Sequence, residues 1–329
     1  FSDFEIFAPV KFSDNNGKIQ WYDESTTQKI VDLFKSNDGI VCLFSLGAVI
    51  RLLAPHIKDK KTDPAVIVID DNANFVISVL SGHLGGANEL SNEIAEKIGS
   101  TPVITTAADV NKTIAVDLVG KEFGWKIDDD SNVTRISAFM VNKEKIGIFQ
   151  NIGKKEWWKG KFPDNITFFS NIEDLKASES KGYLIITNDQ IDDESVLKNS
   201  VVYRVPDLVV GIGLHWDTSK ETILNGVNET LKKFELKQKQ IARLVSIKKD
   251  KDVIGLIELG REMNIPIEYI DREELATITA PNPSETVQAF EGTASVSEAA
   301  AIKSSKGELI VEKQKFPPNL TVAIARIIQ

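Results

Sequence analysis

Three groups able to move protons or orient a substrate fall within seven residues of one glycine-rich stretch. They are the imidazole of His83, the amide of Asn88 and the carboxylate of Glu89, in Ser81-Gly-His-Leu-Gly-Gly-Ala-Asn-Glu-Leu90. Glycines at 82, 85 and 86 break the stretch into a loop. An apolar run, Phe75 to Leu80, leads in, and the pattern predicts a helix over about Ala87 to Ile98 leading out. A loop that feeds a helix N-terminus can turn backbone amides and the positive end of the helix dipole toward an anion. The chemistry expected is therefore binding of an anionic ligand, with acid/base groups at hand. The plainer alternative is a tight turn with close strand–helix packing, in which His83 is structural and Asn88 and Glu89 are ordinary first-turn residues.

Two other strand ends are expected beside this loop. Thr105-Thr-Ala-Ala-Asp109 follows the predicted strand Val103–Thr105, and Ser45-Leu-Gly47 follows the strand Ile40–Phe44. In open α/β sheets ligands bind at the carboxyl edge of the strands. Asp109 could orient His83 or a water there, or it could cap the segment after it. Nearer the C-terminus, Gly211-Ile-Gly213 resembles the start of a dinucleotide loop, but Trp216 stands where a third glycine is needed, so a nicotinamide site is excluded. Gly292-Thr-Ala-Ser-Val-Ser-Glu298 is a second anion-friendly helix start, and Ser295 with Glu298 fits a capping box. Thr218 with Glu221 fits another, with Thr218 or Ser219 as the cap. His215 beside Trp216 could stack on a flat ligand or lie on the surface; His56 reads as loop surface. No histidine pair has metal-ligand spacing, and neither a Walker loop nor a Gly-x-Ser-x-Gly elbow is present.

These residues need a scaffold. The chain has 329 residues, enough for two or three cores, and its 42% apolar content is ordinary for a globular protein. The expected architecture is α/β, with two mostly parallel α/β domains flanking a small α+β middle domain. The boundaries fall at 1–119, 120–206 and 207–329. In the first, Ile40–Phe44, Ala65–Ile69 and Phe75–Leu80 read as buried strands, and Gly99 and Pro102 end the helix after the glycine loop. In the middle, Thr134–Val141 and Lys145–Gln150 read as a hairpin or a helix–strand pair. In the last, strands at Leu208–Ile212, Arg243–Ile247 and Ile267–Ile270 alternate with helices, and Leu309–Glu312 and Val322–Ile327 close the sheet.

Composition narrows the partners. A net charge of −9 argues against non-specific nucleic-acid binding. No apolar run approaches the ~18 residues of a membrane span. One cysteine, Cys42, excludes an internal disulfide. The cytoplasm is the expected compartment.

The block from Asp38 to Asp109 resembles the amino-terminal domain of the CbiG family. The likeness lies in Asp38-Gly-Ile40, Arg51-Leu-Leu-Ala-Pro55, Thr62-Asp-Pro-Ala65, Ser81 to Glu89 and Thr105 to Asp109. Val210-Gly-Ile-Gly213, Gly292 and Ser295-Val-Ser-Glu-Ala-Ala-Ala301 resemble its carboxyl-terminal domain. Two departures stand out. The family's opening strand and helix are missing from a chain that starts at Phe1, and its basic pair after Gly-x-Gly is replaced by Leu214-His-Trp216.

The resemblance implies cobalamin biosynthesis and the activity of a cobalt-precorrin-5A hydrolase. Water opens the δ-lactone of the cobalt-bearing macrocycle, a two-carbon fragment leaves as acetaldehyde, and cobalt-precorrin-5B remains. The partner implied is a cobalt-corrinoid intermediate; a homodimer is compatible with the sequence, and neither nucleic acid nor membrane is expected. No cofactor and no protein-bound metal are implied, because the cobalt arrives with the substrate. On these positions Glu89 or His83 is expected to act as general base, with Asn88 and the loop amides stabilising the oxyanion. Ser81, Gly82, Gly85, Gly86, Thr105, Thr106 and Asp109 are expected to bind substrate, as are Gly211, Gly213, His215, Gly292, Ser295 and Glu298. The alternative reading is a non-catalytic protein that holds or passes corrinoid intermediates.

Overall fold

A computed structural model describes residues 4–14 and 16–328. Phe1, where the family's opening elements are expected to be missing, lies outside the described residues. The chain forms two compact units, 1–118 and 119–329.

The N-terminal unit opens with a pair of parallel strands, Ile6–Pro9 and Ile19–Tyr22, and a helix, Thr26–Ser36, capped by Ser25 Oγ accepting from the Gln28 amide at 3.1 Å. Its main sheet orders Gly39–Cys42, Ala65–Ile69, Phe75–Leu80 and Thr101–Val103 side by side. The second of these is the centre of the unit. Val66 and Val68 pack with Cys42, Val49 and Leu53 on one face; Ile67 and Ile69 pack with Val76, Ile94 and Ala95 on the other. Both faces are covered, which is why the strand reads as an uninterrupted apolar run. Burial pushes the Cys42 thiol up to about 11, so it behaves as a small apolar residue.

Only the central pair of strands is antiparallel. Five residues, 70–74, join Ile69 to Phe75, too few for a crossover. This hairpin reverses one expectation. The chain leaves Cys42 at the opposite edge from Leu80, so Ser45–Gly47 lies away from the glycine loop. What reaches the loop's edge is the segment before Ala65: Ser81 Oγ donates to the Asp63 carbonyl at 2.7 Å.

The C-terminal unit carries two five-stranded sheets. The first orders Lys126–Ile127, Ser200–Arg204, Gly182–Ile186, Ile146–Gln150 and Ile166–Phe169. The last four of these strands are parallel, and the two-residue edge strand is antiparallel. The middle segment is thus more regular than its weak helical periodicity suggests: Val133–Val141 is a helix and Ile146–Gln150 the strand after it. The second sheet orders Ile267–Ile270, Ile241–Ile247, Leu208–Leu214, Leu320–Arg326 and Leu309–Phe316. Its first three strands are parallel, and the closing hairpin runs antiparallel.

Gly211 lies inside the central strand of that sheet and not in a ligand loop. The helix Val296–Ser305 crosses so closely that a Cβ at Gly211 would run into the Ser297 carbonyl oxygen and lie 2.9 Å from Ala301 Cβ. Gly211→Ala is expected to cost about 1–3 kcal/mol through overpacking, read as a Tm several degrees lower. An unchanged Tm would contradict this contact.

Candidate active site

The glycine loop is built by backbone geometry that its sequence permits. Gly86 takes φ 84° at the helix N-cap, and Ser81 itself sits at φ 55°. Gly82 has no room for a side chain: a Cβ there would lie 2.7 Å from Asn88 Oδ1. A Cβ at Gly85 would lie 2.9 Å from the Ser81 carbonyl. Three amides where the loop enters the helix are used within it. Gly86 N donates to His83 O, Ala87 N to Ser81 O and Asn88 N to Gly82 O, at 3.2, 3.2 and 3.0 Å. These bonds and the tight contacts at Gly82 and Gly85 make the loop a rigid mount for side chains.

His83 is the side chain it mounts. Its Nε2 lies 2.9 Å from Asp109 Oδ2, and its Nδ1 lies 3.3 Å from Asp117 Oδ1. A carboxylate at each ring nitrogen favours the imidazolium form, which can donate at both. The His83 pKa is accordingly raised. The hydrogen bond with Asp117 is the largest cause; burial opposes it, and Asp109 adds to it. Two flanking carboxylates suit the ring to holding a proton and balancing their charge.

Asn88 is equally committed. Its position on the buried side of the helix, in line with Ser91 and Ala95, turns it toward the strand Phe75–Leu80. Its Oδ1 accepts from Ser78 Oγ at 2.7 Å. Its two amide protons go to Thr106 Oγ1 at 2.9 Å and Asp109 Oδ2 at 2.8 Å. It has no proton left for an oxyanion, so its geometry fits a residue that fixes Asp109. Thr106, the N-cap of the short helix Ala107–Val110, steadies it from the other side.

Asp109 Oδ2 thus takes two donors, while Oδ1 accepts no hydrogen bond among the described residues. The Asp109 side chain is 43% exposed and that of Asp117 only 15%. The first carboxylate faces solvent; the second backs the ring. Glu89 and Thr105 are exposed, and among the described residues neither forms a hydrogen bond or ion pair with this cluster. Among the described residues, no group of three or more His, Cys, Asp or Glu is arranged to hold a metal ion.

The sequence-predicted residues of the C-terminal unit divide. Gly213, His215 and Ser295 line a cleft of about 660 Å³ with Lys313, Lys315 and Asn319. His215 is half exposed, its Nδ1 2.7 Å from Asp217 Oδ1 and its ring tilted against Trp216. Glu298 is no capping residue. It is fully buried, and its carboxylate accepts from the Asn282 amide and side chain and the Lys313 amide at 3.1, 2.7 and 3.0 Å. Burial works against its charge, but these donors outweigh it and hold the pKa down. Gly292 does not open a helix; at φ 70° it closes Glu285–Glu291. Ser219, not Thr218, caps Lys220–Lys233, accepting from the Thr222 amide at 3.2 Å.

Asp117 is the residue that sequence reasoning missed. It is 34 positions from His83 and belongs to no motif. One signal was available: it is a carboxylate inside the apolar run Ile114–Val119, where an unpartnered charge is costly.

The fold and cluster define an α/β protein whose N-terminal unit carries an acid/base group at a strand–helix edge. Three family models match the chain. "Cobalamin synthesis G N-terminal" covers residues 28–109, "Cobalamin biosynthesis central region" 114–204 and "Cobalamin synthesis G C-terminus" 208–325. The chain belongs to the CbiG family. It is 39% identical to a cobalt-precorrin-5A hydrolase of Priestia megaterium, over 99% of this chain and 89% of that one. It is 30% identical to a cobalt-precorrin-5A hydrolase of Salmonella typhimurium, over 85% and 79%. Among solved structures, cobalamin biosynthesis protein chiG from Agrobacterium tumefaciens matches 37% of this chain and 99% of its own, at 24% identity and a TM-score of 0.30. No helix among the described residues is long and apolar enough to cross a membrane.

Proposed function

We propose that this protein is a cobalt-precorrin-5A hydrolase and that the cluster at His83 and Asp109 carries its proton transfers. The observation that carries the activity is the 39% identity to a hydrolase of that name along 99% of the chain. The observation that supports the site is a carboxylate, its side chain 43% exposed, whose Oδ2 meets the His83 ring and the Asn88 amide while Oδ1 accepts no hydrogen bond among the described residues.

The steps balance as follows. Asp109 Oδ1 takes a proton from water as the water oxygen adds to the lactone carbonyl. The bond from that carbonyl to the ring oxygen breaks, leaving a carboxylic acid that gives its remaining proton to solvent, and the ring oxygen takes the proton back from Asp109 to become an alcohol. The alcohol then returns its proton to Asp109 as the neighbouring carbon–carbon bond breaks. Acetaldehyde leaves, and the macrocycle keeps the electron pair and takes up that proton from Asp109, which returns to the carboxylate. Throughout, the His83 imidazolium fixes Asp109 and places positive charge where negative charge develops. The cobalt travels with the substrate, and these steps call on no further cofactor.

The purified chain incubated with cobalt-precorrin-5A is expected to release acetaldehyde in equimolar amount. A change in the corrinoid spectrum with no acetaldehyde would instead support a holding or transfer role.

A further inference from the structure

We propose that Asp117 is a positioning residue for this reaction: from behind the ring it fixes His83 in the orientation and protonation state that Asp109 needs. This rests on the hydrolase reading above.

Four observations support it. First, Asp117 Oδ1 lies 3.3 Å from His83 Nδ1, on the ring nitrogen opposite the one that meets Asp109. Second, it is shielded, with its side chain 15% exposed against 43% for Asp109, so it is the less able of the two to meet substrate or water. Third, it is rigidly placed. It sits in the turn Val116–Leu118, pinned by Val116 and by Ile114, which are 0% and 2% exposed. Fourth, burial works against its ionisation, yet its pKa is lowered, because the hydrogen bond and charge of His83, helped by Lys60, outweigh burial. A buried carboxylate kept charged beside a ring is the means by which an imidazole is aimed and held protonated.

Asp117 also comes from outside the family's N-terminal model. His83, Asn88 and Asp109 fall within residues 28–109, whereas Asp117 falls within the model for the central region, 114–204. The segment 113–118 nevertheless belongs to the N-terminal compact unit. The site is therefore completed by residues that follow the matched N-terminal block.

The charged groups around the ring are Asp109 beyond the strand Thr101–Val103, Asp117 itself, and Lys60, acting on Asp117 from the segment before Ala65. None but Asp117 contacts Nδ1, so its removal has a specific signature. The test is an NMR titration of the His83 ring in the full chain, with His56 and His215 as internal controls. Asp117→Asn, which keeps the shape and removes the charge, is expected to lower the His83 pKa by about one unit, a tenfold change in proton affinity. Asp117→Glu is expected to restore most of it.

In acetaldehyde release, Asp117→Asn is expected to lower kcat with little change in KM. The loss should grow with rising pH, up to about tenfold, because the ring of the variant gives up its proton at lower pH than that of the unaltered protein. An unshifted His83 titration in a folded Asp117→Asn variant would overturn the proposal, as would a loss of rate equal at every pH. If the unaltered protein releases no acetaldehyde, the hydrolase reading fails, and the titration still decides whether Asp117 governs His83.

Discussion

Asp109→Asn is expected to slow acetaldehyde release by about 10²–10⁴-fold, the range typical of removing a general acid or base. The substitution leaves a side chain of the same size between His83, Asn88 and Thr106, so the loss would report chemistry and not collapse of the loop. The amide cannot take a proton from water, and its Nδ2 group has no acceptor when turned toward the donors of His83 and Asn88. Binding of the macrocycle should survive, seen as a corrinoid spectral change in the folded variant. A variant with normal turnover would remove Asp109 from the mechanism.

The second large effect is expected at His83. His83→Ala should cost a similar factor of about 10²–10⁴, for a different reason. It leaves Asp109 and Asp117 facing a space without a cation, so Asp109 is neither fixed nor electrostatically balanced. It should also destabilise the N-terminal unit in a pH-dependent way. The folded-state pKa of His83 lies above the ordinary 6.5, so the ring binds its proton more tightly in the folded protein. That contribution is complete below about 6.5 and is lost as pH rises through the folded-state value. The Tm gap between the unaltered protein and His83→Ala should therefore shrink toward alkaline pH. A gap that widened there would contradict a protonated ring.

Much of this site was legible in the residues before any coordinates. The strand–loop–helix frame followed from the apolar run Phe75–Leu80, the three glycines and the Gly99 cap, because each is a local signal. A contact between His83 and Asp109 was one of two readings open to Asp109, the other being a cap, and it rested on two strand ends sharing one edge; the strands Phe75–Leu80 and Thr101–Val103 are parallel neighbours. The roles within the cluster were not legible. Whether an imidazole is base or imidazolium depends on what stands at each nitrogen, and Asp117 reaches Nδ1 from a segment with no pattern of its own. Asn88 looked like an oxyanion donor because the sequence does not show that Ser78, Thr106 and Asp109 have already taken its amide.

The errors in the fold have one source. Alternation of strands and helices points to parallel strands, but the five residues 70–74 are too few for a parallel crossover, and the hairpin puts Ser45–Gly47 at the other edge. In the C-terminal unit, two glycines expected to bind substrate have structural work instead. Gly211 is there for helix–strand contact, and Gly292 for a left-handed helix end. Glu298 satisfied the spacing of a capping box, but a fully buried carboxylate serves whichever donors surround it, here Asn282 and the Lys313 amide.

The most direct test of the central claim, that Asp109 and His83 act as one unit on cobalt-precorrin-5A, is a double-mutant cycle in single-turnover acetaldehyde release. Asp109→Asn, His83→Ala and the two combined are compared with the unaltered protein, each shown to be folded. If the pair is one unit, the combined variant loses little more than the worse single variant. If the two losses multiply, or if either single variant turns over normally, the account is contradicted.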